Sequence, residues 1–93
     1  MKAKIIGHKF TCIIDIENAV CIKESSQFLE VSANNGDAYR FTLSENGKNE
    51  VSSFVRDCEN FINNLLDDRK YVVLTLTDYQ IKFEKSSVSS HIH

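Results

Sequence analysis

Residues 50–66 read EVSSFVRDCENFINNLL, and this stretch decides the fold class. Its apolar side chains recur at intervals of three and four residues, at Val51, Phe54, Val55, Cys58, Phe61, Ile62, Leu65 and Leu66. At about 100° per residue this spacing produces one continuous apolar stripe, which the alternation of a strand does not produce. We therefore predict an amphipathic helix over about residues 50–66. Asn49 is the predicted N-cap residue, and Glu50 is expected in the first turn, at the positive end of the helix dipole.

The segment before the helix, residues 27–43, predicts a β-hairpin around Asn34-Asn35-Gly36. A three-residue loop with Gly36 at positive φ pairs residues as follows: Val31 with Tyr39, Leu29 with Phe41, Glu30 with Arg40 and Phe28 with Thr42. This register keeps the apolar residues on one face. A two-residue Asn-Gly turn would set Val31 opposite Arg40 and mix the faces, so we favour the three-residue loop.

The segment after the helix predicts a second hairpin. Apolar residues alternate with polar ones on both of its arms, and a two-residue turn at Thr77-Asp78 separates the arms. The pairs that this turn predicts are Leu76 with Tyr79, Leu74 with Ile81, and Val72 with Phe83.

The first part of the chain is rich in β-branched residues and predicts further strands over residues 2–6, 9–14 and 19–24. Gly7-His8 and Glu17-Asn18 are expected to interrupt them. The register of residues 2–24 stays open, because either Phe10, Cys12 and Ile14 or Ile13 could line the core. The chain contains no proline, so we expect lysines such as Lys2, Lys4 and Lys82 to protect the edge strands.

Together these elements predict an α+β domain: a single curved antiparallel sheet of about six strands, one amphipathic helix packed on one face, and a C-terminal hairpin. Residues 1–85 are expected to form the single domain, and residues 86–93 a flexible tail. One helix cannot cover both faces of such a sheet. We therefore expect part of the other face, carrying residues such as Phe28, Ile13 or Tyr71, to be exposed or to contact a partner.

The charges are segregated along the chain. Residues 24–68 hold nine acidic and three basic residues, a net charge of −6, whereas residues 1–23 and 69–93 each have a net charge of +2. No apolar run is long enough to span a membrane, and no signal-peptide core follows Met1, so we expect a cytoplasmic protein that does not bind membranes. The acidic centre disfavours nucleic acid and favours a basic protein partner.

Residues that could carry catalysis or bind a metal are few and widely spaced. Cys12, Cys21 and Cys58 lie in apolar patterns and are expected to pack in the core. A less favoured alternative is that Cys12 and Cys21 face each other across a hairpin and form a disulfide under oxidising conditions. We expect no enzymatic activity, no cofactor and no metal site.

The histidines do not change this expectation. His91 and His93 are two residues apart, but they lie in the serine-rich tail, where binding a metal would require ordering that segment. His8 is isolated beside Gly7 at a predicted turn.

The remaining anomaly is the acidic end of the helix. Asp67 and Asp68 lie where the helix dipole disfavours negative charge. Such a violation can mark function, although Arg69 and Lys70 could also offset it on an ordinary solvated surface. We predict a partner-binding surface made of Glu45, Glu50, Asp57, Glu59, Asp67 and Asp68.

The function predicted from this pattern is a small acidic protein-binding module. Its most favoured form is an inhibitor of a basic effector such as a nuclease, comparable to a bacterial or phage immunity, antitoxin-like or anti-defence protein. The first alternative is a structural or assembly module that self-associates, for example as a homodimer through an edge strand. A nucleic-acid-binding domain is less favoured, and would use Lys2, Lys4, Lys9 and Lys23 with Phe28 or Tyr71.

Overall fold

The computed structural model describes residues 1–22, 27–44, 50–67 and 71–87. These residues form one six-stranded sheet and one helix, so the predicted α+β class is confirmed. The elements are β1 (Lys2–Ile6), β2 (Thr11–Ile22), β3 (Phe28–Ala33), β4 (Asp37–Leu43), α1 (Val51–Leu66), β5 (Tyr71–Thr75) and β6 (Ile81–Ser87). The strand order across the sheet is β5-β1-β2-β3-β4-β6, so β5 and β6 form its two edges.

The pairing predicted for the C-terminal hairpin is wrong. Strand β5 pairs in parallel with β1, with Leu74 opposite Ile5, and β6 pairs antiparallel with β4, with Phe83 opposite Phe41. The sheet is therefore mixed rather than wholly antiparallel. The Tyr79 N–H does donate to the Leu76 carbonyl at 3.1 Å, but the two arms then diverge to opposite edges. Alternation predicts which side chains share a face, and it carries no information about which strand lies alongside.

Strand β2 is continuous across the break predicted at Glu17-Asn18. Its first half pairs with β1 and its second half with β3, and the register shifts between Ile16 and Asn18. This irregularity is a β-bulge, which adds one residue and reverses the alternation of side chains. As a result Ile14, before the bulge, and Ala19, after it, both pack against the core.

The structure also shows which side chains of the N-terminal strands face the core, which the sequence left open. Phe10, Cys12 and Ile14 face the core, whereas Ile13 is 67% exposed on the outer face of the sheet.

The hairpin of β3 and β4 has the predicted register. Val31 lies opposite Tyr39 and Leu29 opposite Phe41. Gly36 adopts a φ of 92°, which favours glycine, and its N–H donates to the Ala33 carbonyl at 3.1 Å.

The helix buries Phe54, Cys58, Phe61 and Leu65 against the inner face of the sheet. Its N-cap residue is Glu50 rather than Asn49, which lies outside the described residues, and Glu50 thus precedes the first turn. The Glu50 side chain makes no capping hydrogen bond. Within the described ranges, no helix is long and apolar enough to cross a membrane.

Strand β6 extends past the predicted domain boundary at residue 85. Ser86 and Ser87 lie opposite Ala38 and Asp37 in β4, so they belong to the sheet rather than to the predicted tail. Residues 88–93, with His91 and His93, lie outside the described part of the chain.

Candidate functional site

A groove runs between the helix and the edge strand β5. Its volume is about 220 Å³. Among the described residues, its lining consists of Asp57, Asn60, Phe61 and Asn64 from α1 and Val73, Leu74 and Thr75 from β5. We call this feature the α1–β5 groove. One wall carries carboxylate and carboxamide groups, and the other is the free edge of a strand.

The polar wall continues along the helix as a stripe of four side chains: Asp57, Asn60, Asn64 and Asp67. Their spacing of three and four residues places them on one side of α1, bordering its buried face. Asp67 is the C-cap residue and is exposed. We call these four residues the polar stripe.

Asp57 is held in place by a residue from another element. The Tyr79 hydroxyl donates a hydrogen bond of 2.5 Å to Asp57 Oδ2. On the other side, Arg56 Nε lies 3.9 Å from Asp57 Oδ1. The Asp57 side chain is nevertheless 35% exposed, so the carboxylate is oriented and still accessible to a partner.

Tyr79 itself belongs to the core. Its ring meets Phe54 edge-on at a centroid distance of 5.6 Å. Burial, together with the hydrogen bond to Asp57, raises the pKa of the Tyr79 hydroxyl well above its usual value. Sequence reasoning missed this contact because the two residues are 22 positions apart and belong to different elements.

The other predicted site residues do not all join the polar stripe. Glu59 lies about 200° from Asp57 around the helix. It lines a separate hollow with Gln27 and Val55, near the opposite border of α1. Glu50 is half-buried before the first turn, and its Oε2 has no hydrogen-bond partner among the described residues. The structure therefore brings Asp57 and Asp67 to one side of α1 and separates Glu59 from them.

Glu45 and Asp68, also predicted as site residues, lie outside the described residues.

The lysines considered for nucleic-acid binding are also separated. Lys2 and Lys4 lie on β1, where Lys4 is flanked by Ile13 and Val73. Lys9 instead lines a hollow of about 470 Å³ at the turn between β1 and β2. Lys23 lies outside the described residues.

The outer face of the sheet carries exposed apolar side chains, as predicted. Ile13 is 67% exposed, Tyr71 52% and Val73 49%. Phe28 is half-buried and is covered by the Arg40 guanidinium, which lies 4.5 Å from the centre of its ring.

The predicted alternative of a disulfide between Cys12 and Cys21 is wrong. Both residues belong to β2, nine positions apart, which separates them by about 30 Å along an extended strand. Cys12 is half-buried, and burial raises the pKa of its thiol despite the opposing effect of Lys85. Cys58 is fully buried. In the part of the chain that the structure describes, no three histidine, cysteine or acidic side chains form a group able to hold a metal ion.

Comparison with known proteins found no matching family model, no matching curated protein and no matching solved structure.

Proposed function

We propose that this chain is a small protein-binding module that recognises a basic protein through the polar stripe. The observation that carries the proposal is the alignment of Asp57 and Asp67 on one border of α1, with Asn60 and Asn64 between them. The four stripe residues include no basic side chain, although Arg56 Nε lies 3.9 Å from Asp57 Oδ1 at the margin of the stripe. A lysine or arginine of the partner would find carboxylate acceptors there, and the amides can donate to or accept from its backbone.

Two further properties support a basic partner. The central part of the chain, residues 24–68, has a net charge of −6, which attracts a positively charged surface over a longer range than single contacts do. In addition, the hydrogen bond from Tyr79 holds Asp57 in a defined orientation, so less side-chain entropy is lost when a partner binds.

The finer form of this proposal is an inhibitor of a basic effector such as a nuclease, acting in the cytoplasm as an immunity or anti-defence protein does. The stripe would occupy the surface on which the effector binds nucleic acid. Glu45 and Asp68 are proposed to add to this surface because they flank α1 in the sequence. Glu50 and Glu59 are proposed as peripheral contacts, since Glu59 lies on the other border of the helix.

The test is affinity capture from a lysate of the native host, followed by binding measurements with the purified captured protein. The informative variant is Asp67→Lys, because Asp67 is exposed and outside the core. The matched control is Glu84→Lys, which makes the same change in charge at an exposed position of β6. We expect a basic partner whose affinity falls at least tenfold in Asp67→Lys and little in Glu84→Lys.

Salt provides the second measurement. If the contact is electrostatic, raising the ionic strength should slow association and weaken binding. Capture of no specific partner, or binding that is equally insensitive to salt and to Asp67→Lys, would overturn the proposal.

A further inference from the structure

The two edges of the sheet differ in how they are protected against pairing with another strand. Strand β6 reads IKFEKSS and carries Lys82, Glu84 and Lys85. Strand β5 reads YVVLT and carries no charged residue and no proline. Charged side chains and prolines are the usual protection of an edge strand. Of the lysines expected to serve this purpose, Lys82 lies on the edge strand β6, whereas Lys2 and Lys4 lie on β1, which is the second strand from the β5 edge.

Within the described residues, the backbone of β5 has unpaired groups at this edge. The Leu76 N–H donates to the Ile6 carbonyl at 2.6 Å, so the backbone N–H and C=O groups of Leu76 point toward β1. Because N–H and C=O groups alternate sides along a strand, those of Val72 and Leu74 also point toward β1. The backbone groups of Tyr71, Val73 and Thr75 therefore point away from the sheet. In the part of the chain that the structure describes, these outward-pointing N–H and C=O groups have no hydrogen-bond partner.

These outward residues are placed symmetrically about the centre of the strand. Val73 is the middle residue of β5, with Tyr71 two positions before it and Thr75 two positions after it. The β5 strand of a second copy can pair antiparallel with this one about a two-fold axis that passes between the two Val73 residues. In this arrangement Val73 lies opposite Val73, and Tyr71 lies opposite Thr75. Each is a hydrogen-bonded pair, so the two strands can exchange about six backbone hydrogen bonds.

The side chains also suit this pairing. Tyr71 and Val73 are about half exposed on the outer face, so the two-fold axis brings the exposed valines of the two copies together. No charge of β5 approaches its symmetry mate, because β5 has none.

We propose that a second copy of this chain pairs antiparallel with β5, centred on Val73, to form a two-fold symmetric dimer with a continuous twelve-stranded sheet. This inference does not rest on the proposed function, since it needs no other protein. The two are linked through the α1–β5 groove, which includes Val73 as well as Asp57. A second copy at β5 therefore competes with a basic partner bound to the polar stripe.

The test is sedimentation equilibrium of the full chain between about 1 and 200 μM. We expect the wild type to approach twice the 10.6 kDa of one chain as the concentration rises. The decisive variant is Val73→Pro, which removes an N–H that makes no bond to β1 but is central to the dimer. The matched control is Val73→Thr, which keeps the N–H and the shape of the side chain.

We expect Val73→Thr to remain dimeric and Val73→Pro to be monomeric with a circular dichroism spectrum like that of the wild type. If Val73→Pro does not fold, Val73→Lys replaces it, because it keeps the N–H and brings two positive charges together at the two-fold axis. Its dimer dissociation constant should rise at least tenfold.

Amide hydrogen exchange gives an independent readout. The amides of Val73 and Thr75 should become more protected as the protein concentration rises, whereas those of Val72 and Leu74 should be protected at all concentrations. A wild type that stays monomeric up to 200 μM would overturn the proposal. A dimer that persists unchanged in folded Val73→Pro or in Val73→Lys would also overturn it, because it would use another surface.

Discussion

The Tyr79 hydroxyl donates a 2.5 Å hydrogen bond to Asp57 and so joins the turn after β5 to the middle of α1. This turn is where the chain passes from one edge of the sheet to the other. The bond therefore fixes the position of α1 relative to the turn that connects β5 to β6. It also makes Asp57 part of the fold as well as of the polar stripe.

Replacing Tyr79 by phenylalanine should lower the free energy of unfolding by about 1–2 kcal/mol, because a hydrogen bond to a charged group is lost while the ring stays packed. Urea denaturation measures this change. Tyr71→Phe is the matched control, since Tyr71 is 52% exposed and should have little effect. Equal effects of the two substitutions would show that the bond to Asp57 does not contribute to stability.

The raised pKa of Tyr79 predicts a loss of stability at alkaline pH. An unfolded tyrosine ionises near pH 10, whereas the folded Tyr79 keeps its proton to a higher pH. Above about pH 10 the unfolded state thus binds fewer protons than the folded state, so stability falls as the pH rises. Thermal unfolding between pH 8 and 11 should show a steeper decline for the wild type than for Tyr79→Phe. Parallel curves would contradict this assignment.

Two adjacent leucines test the orientation of the helix. Leu65 is 7% exposed and Leu66 78% exposed, although the sequence assigned both to the apolar stripe. Leu65→Ala should destabilise the protein by about 2–4 kcal/mol through the cavity that it leaves. Leu66→Ala should change stability by less than about 0.5 kcal/mol. A larger effect at Leu66 than at Leu65 would mean that the helix is rotated.

Local patterns explain which parts of the fold could be predicted. The helix follows from its own 3.6-residue period, and the β3–β4 hairpin follows from a short loop and one glycine, Gly36. The pairing partners of β5 and β6 could not be predicted. Val72 and Phe83 would face the core whether β5 paired with β6, as predicted, or each strand paired with another, as in the structure. The irregularity at Glu17-Asn18 was predicted as a break between two strands, whereas it is a bulge within one strand, between Ile16 and Asn18.

The candidate site was harder to predict than the fold. Its acidic residues were predicted from the charge of the central segment and from the acidic end of the helix. In the structure α1 separates Glu59 from Asp57, because the two are two positions apart on a helix. Its second wall, the edge of β5, depends on the strand order, which the sequence does not contain. The edge strands could not be identified for the same reason, so Lys2 and Lys4 were expected on an edge that they do not occupy.

Gly7 lies under an aromatic ring, which predicts a specific cost for adding a methyl group. A Cβ at Gly7 would overlap the ring of Phe10. That ring cannot easily move, because it is 5.2 Å from Phe83 and 5.4 Å from Phe41. Gly7→Ala should therefore destabilise the protein by about 1–3 kcal/mol. In a Phe10→Ala background the same change should have little effect, and a full effect there would place the cause elsewhere.

The thiols should differ in reactivity according to their burial. The pKa of Cys12 is raised, so less thiolate is present near pH 8 than for an ordinary cysteine. Iodoacetamide labelling followed by peptide mass spectrometry should show slow modification of Cys12 and none of Cys58 in the folded protein. Labelling in urea provides the unfolded reference rate. Fast native labelling of Cys58 would contradict its position in the core.

The parallel pair of β1 and β5 has a consequence for the order in which the chain can assemble. Lys2 lies opposite Tyr71, so this pairing joins the beginning of the chain to a segment almost seventy residues later. Strands β2, β3 and β4 are neighbours in sequence and can pair while the chain is still being synthesised. The side of β1 that pairs with β5 stays unpaired until β5 has left the ribosome. Because contacts between distant segments slow folding, docking of β5 is expected to be the late step, and a chain halted before residue 71 would expose β1 as a new edge.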